Sequence, residues 1–158
     1  MNDQLSTLPP PADRSARYLI GIDPDKDANG VAVWDRRERK LMRLELMRTP
    51  DLIDYCRLYR QMAFVHLEAG HNINFIWGLD PKWSQQKTAS VGRDKGVNHG
   101  VGYTIIQFFE YYQIGFVQIE PRRKKDEVKF TADLLKQITG WETKNKELIA
   151  AAKLVVGL

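Results

Sequence analysis

Residues 17–35 read RYLIGIDPDKDANGVAVWD, and this stretch decides the architecture. Tyr18 to Ile22 is a short apolar run that ends on a carboxylate, Asp23. The polar cluster Pro24 to Asn29 follows, and Val31 to Trp34 is apolar again before Asp35. Two short apolar runs around a Pro/Asp/Asn/Gly cluster read as strand, turn, strand. Gly30 suits the close turn into the second strand, because it carries no Cβ.

Working outward, the charged turn Arg36-Arg37-Glu38-Arg39-Lys40 leads to a third apolar stretch, Leu41 to Met47. The three runs read as an antiparallel meander. Thr49-Pro50-Asp51 starts a helix, with Thr49 as N-cap and Pro50 in the first turn, running to about Arg60. Met62 to Leu67 is a second buried strand followed by Glu68. Glycines and Asp80-Pro81 break the pattern through residues 69–96, which read as short helical pieces and loops. An amphipathic helix follows over Val97 to Tyr112, then a strand over Ile114 to Ile119. A helix over Asp126 to Ile138 and a last one from Asn145 to Val156 complete the order. The class is α/β: a mixed sheet, three antiparallel strands plus parallel ones, flanked by helices.

The 158 residues suit one domain with a buried core, and residues 1–16, with three consecutive prolines, read as a disordered leader before a single domain at 17–158. No apolar run approaches a membrane span or a secretory signal, so the cytoplasm is the expected compartment. The single cysteine, Cys56, excludes an internal disulfide and reads as a small core residue. A net charge of +4 suits a polyanionic partner such as nucleic acid. The basic residues gather at Arg36–Lys40, at Lys87, Arg93 and Lys95, and in the run Arg122, Arg123, Lys124 and Lys125. One such cluster is an ordinary solvated loop; three beside an acidic site favour phosphate contact.

The chemistry sits at Asp23 and Glu68, each at the end of an apolar strand. If those strands lie side by side, both carboxylates emerge at one sheet edge, where α/β sites tend to form. Carboxylates held together repel, and a divalent cation is the usual remedy. All-oxygen ligands point to Mg²⁺ or Mn²⁺.

The segment YLIGIDPDKDANGVAVWD resembles the opening strand, turn and strand of RuvC-like Holliday junction resolvases, members of the ribonuclease H-like superfamily. VHLEAGHN looks like their second acidic strand, and GRDKGVNHGVGYTIIQFFEYYQIGFVQIEP like their glycine-marked helix and following strand. NKELIAAAKLVVG resembles their closing helix. The likeness covers residues 17–158 in one order, and the mobile-element and phage-type members look most similar.

That resemblance implies a ribonuclease H-like fold and a structure-selective, Mg²⁺-dependent endonuclease acting on Holliday junctions or other branched DNA. It implies Asp23, Glu68 and Glu147 as metal ligands, and a homodimer, since resolving a two-fold junction takes paired cuts. Arg93, Lys95, Asn98, His99 and the Arg122–Lys125 run would contact the DNA backbone. Glycines 100 and 102 beside Asn98 and His99 allow close backbone approach to a phosphate.

The sequence departs from the family pattern at Ala150, where an aspartate is expected one helical turn beyond Glu147. Three accounts stay open: an engineered substitution, a site of three carboxylates, or a branched-DNA binder that does not cut. Asp25 replaces a usual glycine and, with Asp27, reads either as part of a solvated turn or as an addition to the metal site. Lys153, one further turn along, reads either as a solvated helix residue or as a cation that balances the carboxylates or meets a phosphate. Phe75, Trp77 and Trp83 either stack on unpaired bases or cover the core. An ATP-binding actin-like domain pair also opens on a GID-type turn, but needs well over roughly 250 residues.

Overall fold

Three strands open the chain: β1 (Tyr18–Asp23), β2 (Asn29–Asp35) and β3 (Lys40–Met47). Helix α1 (Thr49–Tyr59) leads to β4 (Ala63–Glu68) and a single 3₁₀ turn at Gly70–Asn72. Then come α2 (Gln85–Tyr111), β5 (Phe116–Ile119), α3 (Ala132–Thr139) and α4 (Lys146–Lys153). The computed structural model describes residues 9–72, 80–121 and 129–158. The sheet order is β3-β2-β1-β4-β5. The first three strands pair antiparallel, and β4 and β5 add in parallel. This is the expected meander with parallel strands beside it.

Strand alternation divides the core in two. Ile20, Ile22, Val31, Val33, Val65 and Leu67 face α1 and α2, where Leu52, Ile53, Ile105 and Phe109 close over them. Leu19, Ala32, Trp34 and Phe64 face the other way, toward Leu135 of α3 and Ala151, Ala152 and Val155 of α4. Cys56 is buried in the first layer, and burial pushes its thiol pKa up, which keeps it protonated and inert. No helix among the described residues is long and apolar enough to cross a membrane.

Several local expectations change. Helix α2 is continuous from Gln85, running through Gly92 and Gly96, where short pieces and loops are expected, into the expected helix that carries Gly100 and Gly102. Ser84 caps it by accepting the Lys87 N–H, and glycine taxes a helix by only about 1 kcal/mol per residue without forbidding it. A Cβ at Gly96 or Gly100 would meet nothing within 4 Å. Gly96→Ala and Gly100→Ala should therefore each stabilise the fold by about 0.5–1 kcal/mol, read as a rise in the urea midpoint. A fall at both positions would count against a continuous helix.

Other boundaries shift for visible reasons. The N-cap of α1 is Arg48, because the Thr49 hydroxyl instead accepts from Asn29 Nδ2 at 3.2 Å. β5 starts at Phe116, since the Ile114 N–H closes back on the Phe109 carbonyl. α3 begins at Ala132, capped by Thr131, and the earlier part of its expected span, residues 126–128, lies outside the described residues. Residues 9–16, expected as part of the leader, lie against the sheet. The Ala12 N–H donates to the Arg60 carbonyl at 2.8 Å, and the buried Arg60 guanidinium donates to the carbonyls of Pro9 and Gln113. Gly115 lets this strap pass close, as a Cβ there would overlap the Ala12 carbonyl.

Candidate functional site

β1 and β4 run parallel in register as far as Ile22 opposite Leu67, so the next residues, Asp23 and Glu68, end the two strands together. Alternation puts both side chains on the α4 face of the sheet, with Gly21 and His66 two residues back. On the other side of β1, Asp23 pairs with Gly30 of β2. Glu147 sits directly over that glycine: a Cβ on Gly30 would overlap the Glu147 carbonyl, and one on Gly21 would overlap that of Ala151. Two glycines four helix residues apart in their contacts thus form a flat bed on which the backbone of α4 rests. Asn145 caps the helix by accepting the Leu148 N–H at 3.1 Å, fixing where its first turn begins.

The electrostatics follow from this crowding. Asp23 is pushed up from 3.8 to about 9, first by burial, then by a side-chain hydrogen bond with Glu68 and by the charges of Glu68, Glu147 and Asp25. The structure therefore brings Asp23 and Glu68 into contact, and the charges of Glu147 and Asp25 reach that pair. Among the described residues, no three His, Cys, Asp or Glu side chains are already gathered as a ligand cage. Asp23 and Glu68 form the close pair; Glu147 and Asp25 act on it through charge. The donor set is all carboxylate oxygen, buried and self-repelling, which matches the chemistry of a hard divalent cation such as Mg²⁺ or Mn²⁺.

Asp25, read from sequence either as part of a solvated turn or as an addition to the metal site, is held. Its Oδ2 accepts from Asn98 Nδ2 at 3.0 Å and its Oδ1 accepts the Asp27 N–H at 3.0 Å. Its own N–H donates to Oδ1 of the fully buried Asn29 at 3.2 Å, whose Nδ2 is anchored on the Met47 carbonyl at 3.0 Å. Asn98, expected to meet a phosphate, spends both ends of its amide on this turn, since its Oδ1 also accepts the Lys26 N–H at 3.0 Å. Lys26 Nζ adds an ion pair to Asp94 at 3.4 Å. The clue in the sequence was a residue type, Asn at 29 and 98, but nothing local pairs positions so far apart.

His99 lies against the turn that follows β4, with its Nε2 3.6 Å from where a Cβ on Gly70 would sit. Burial holds its pKa below the usual value, helped by the charges of His71 and Lys95. His71 is bound within 2.9 Å of Gln118 Oε1 and packs on Tyr103, so it braces the 3₁₀ turn. His66 is kept neutral chiefly by burial, and its buried Nδ1 has no hydrogen-bond partner among the described residues. Arg93 is exposed on α2 and Lys95 lies two residues along the same helix. Trp83 carries the Lys87 ammonium over its ring at 4.5 Å. Arg122, Arg123, Lys124, Lys125, Phe75 and Trp77 lie outside the described residues.

Ala150 lines an outer groove with Lys129, Phe130, Thr131, Lys146, Ile149 and Lys153. Three helix residues past Glu147 is about 60° around the axis, and here that rotation turns position 150 away from the sheet.

No family model matches the sequence, and no curated protein matches it either. Among solved structures, the chain resembles Thermus thermophilus RuvC in complex with a Holliday junction substrate, at 13% identity and a TM-score of 0.52, over 89% of this chain and 91% of that one. It resembles a second Thermus thermophilus RuvC structure at 12% identity and a TM-score of 0.52, over 88% and 91%. With its mixed five-stranded sheet between helices, the chain has a ribonuclease H-like fold similar to that of RuvC.

Proposed function

We propose that this protein is a metal-dependent, structure-selective endonuclease acting on Holliday junctions or related branched DNA. The observation that carries the reading is the convergence of Asp23 and Glu68 at two parallel strand ends, with Glu147 brought over Gly30. Asp23, Glu68 and Glu147 would hold the ion. A bound divalent ion supplies a polarised water and neutralises charge on the phosphodiester. The protein's own part is to fix the carboxylates on rigid strand ends and to hold the Asp25 turn through Asn98 and Asn29. Cutting both strands of a two-fold junction calls for two sites, so the working unit would be a homodimer.

The test is cleavage of a synthetic four-way junction with Mg²⁺ or Mn²⁺ by the native chain and by Ala150→Asp. Cutting by the native chain supports a site that works without an acid at position 150. Junction binding by the native chain, with cutting only by Ala150→Asp, supports a catalytically impaired binder. Failure of both to cut would sink the nuclease reading.

A further inference from the structure

Helix α4 has basic surface at both of its ends. Because Glu147 lies over Gly30 and Ala151 over Gly21, the helix runs back along the sheet from the Asp23 end toward the Tyr18 end. Trp34 Nε1 donates to the Leu158 carbonyl at 3.3 Å and continues that path. The outer groove of about 390 Å³ beside Ala150 carries Lys129, Lys146 and Lys153. Beyond the other end lies an open cleft of about 970 Å³ lined by Arg14, Arg17, Arg36 and Arg37, with Ser15, Ala16 and Leu158.

The carboxylates facing that cleft do not cancel it. Asp35 and Glu38 both engage Arg17, at 2.6 and 3.7 Å, and Asp13 is taken by Ser15. Arg36 places Nη1 on the carbonyls of Arg14 and Ala16, which sets its guanidinium at the cleft wall. Arg37 meets Asp35 only through its backbone N–H, at 2.9 Å. Arg14 and Arg36 also line a cavity with His66, on the same sheet face as Glu68, so the arginines border that face. From Arg17 to Asp23 is six strand residues, about 20 Å at ~3.3 Å each. That is about six steps of a duplex strand at ~3.4 Å.

Resting on the branched-DNA reading, we propose that the lysine groove and the arginine cleft form one track along α4 that holds the phosphate backbone of a duplex arm leading away from the Asp23 site. Guanidinium groups suit phosphate because their planar donor forks meet its oxygens two at a time. The cleft is open and shallow, which fits a rod of evenly spaced charges better than an enclosed small anion. Position 150 contributes by being small: an acid there would place a negative charge in the lysine groove.

The test measures four-way-junction affinity of the full chain in EDTA, with arms of about 4 base pairs, too short to reach the cleft at ~3.4 Å per step, and of about 20 base pairs. The variants are Arg14→Ala with Arg37→Ala, and separately Lys146→Ala. None of these removes the Arg17–Asp35 pair that pins the hairpin. For long arms the double variant should lose about tenfold in affinity and about 2 in the slope of log affinity against log salt. Short arms should bind it nearly as they bind the native chain. The control is Arg57→Ala on α1, across the sheet. An unchanged slope, an equal loss for both arm lengths, or an equal loss in the control overturns the track. Native cleavage with unaltered variants would overturn the track alone; no junction binding by the native chain would remove the branched-DNA reading with it.

Discussion

Asp23→Asn is expected to abolish metal-dependent cleavage and, in metal-free protein, to raise the melting temperature. The two effects share one cause. Asp23 is buried beside Glu68 with Glu147 and Asp25 nearby, so its carboxyl is raised from 3.8 to about 9. The folded state then keeps a proton that the unfolded chain releases. Stability of the metal-free protein therefore falls as pH rises from about 4 toward 9. At about 1.4 kcal/mol per unit, discounted because Asp23 lies in a strongly interacting carboxylate pair, the cost near pH 8 is on the order of 2–4 kcal/mol. Asparagine removes that charge and still donates to Glu68. Cleavage should drop on the order of 10³-fold, the scale seen when a group stabilising developing charge is lost.

Calorimetric scans at pH 6 and pH 8.5, with EDTA and with Mg²⁺, check this directly. The native chain should melt lower at pH 8.5 than at pH 6 without metal, and Mg²⁺ should restore more at the higher pH while releasing protons. The variant should show a flatter profile and little response to Mg²⁺. A variant that melts at or below the native chain at pH 8.5 in EDTA would show that the carboxylates do not strain one another.

Gly30→Ala should be the most damaging small substitution on the sheet. A Cβ there overlaps the Glu147 carbonyl, which is helix backbone and has no rotamer to yield. Either α4 lifts off β1 and β2 or the strands part, and overpacking of this kind costs about 1–3 kcal/mol. Because Glu147 is the residue displaced, Mg²⁺ stabilisation should weaken as well. Equilibrium urea unfolding with and without Mg²⁺ separates the two losses, and Gly96→Ala, which meets open space, is the matched control. Native-like stability together with an unchanged Mg²⁺ response would mean that α4 does not depend on a bare backbone at position 30.

The legible parts of the fold share a property: their signal is carried by neighbours in the chain. Val31, Val33 and Trp34 between turn residues announce a strand, and Asn145 before an apolar periodic stretch announces a capped helix, because period and capping are local. Helix α2 was half-hidden since its first turns bury little and are studded with glycine, so periodicity had nothing to register. Ala150 stands out in the sequence as a departure from the resolvase pattern, but the direction it faces is not legible there. Whether a residue three past Glu147 faces the sheet depends on how α4 is rotated, and Gly21 and Gly30 set that.

The resemblance of four ordered segments carried the fold, and two RuvC structures share it at low identity. By itself the sequence determined that Asp23 and Glu68 end buried strands and that a capped helix bearing Glu147 follows. Only the tertiary structure decided that these strands are parallel neighbours in step, that α4 lies bare-backboned across β1 and β2, and that Asn98 clasps the Asp25 turn. The reason is physical: local patterns report which face a residue presents, whereas pairing register and close approach arise between segments far apart in the chain.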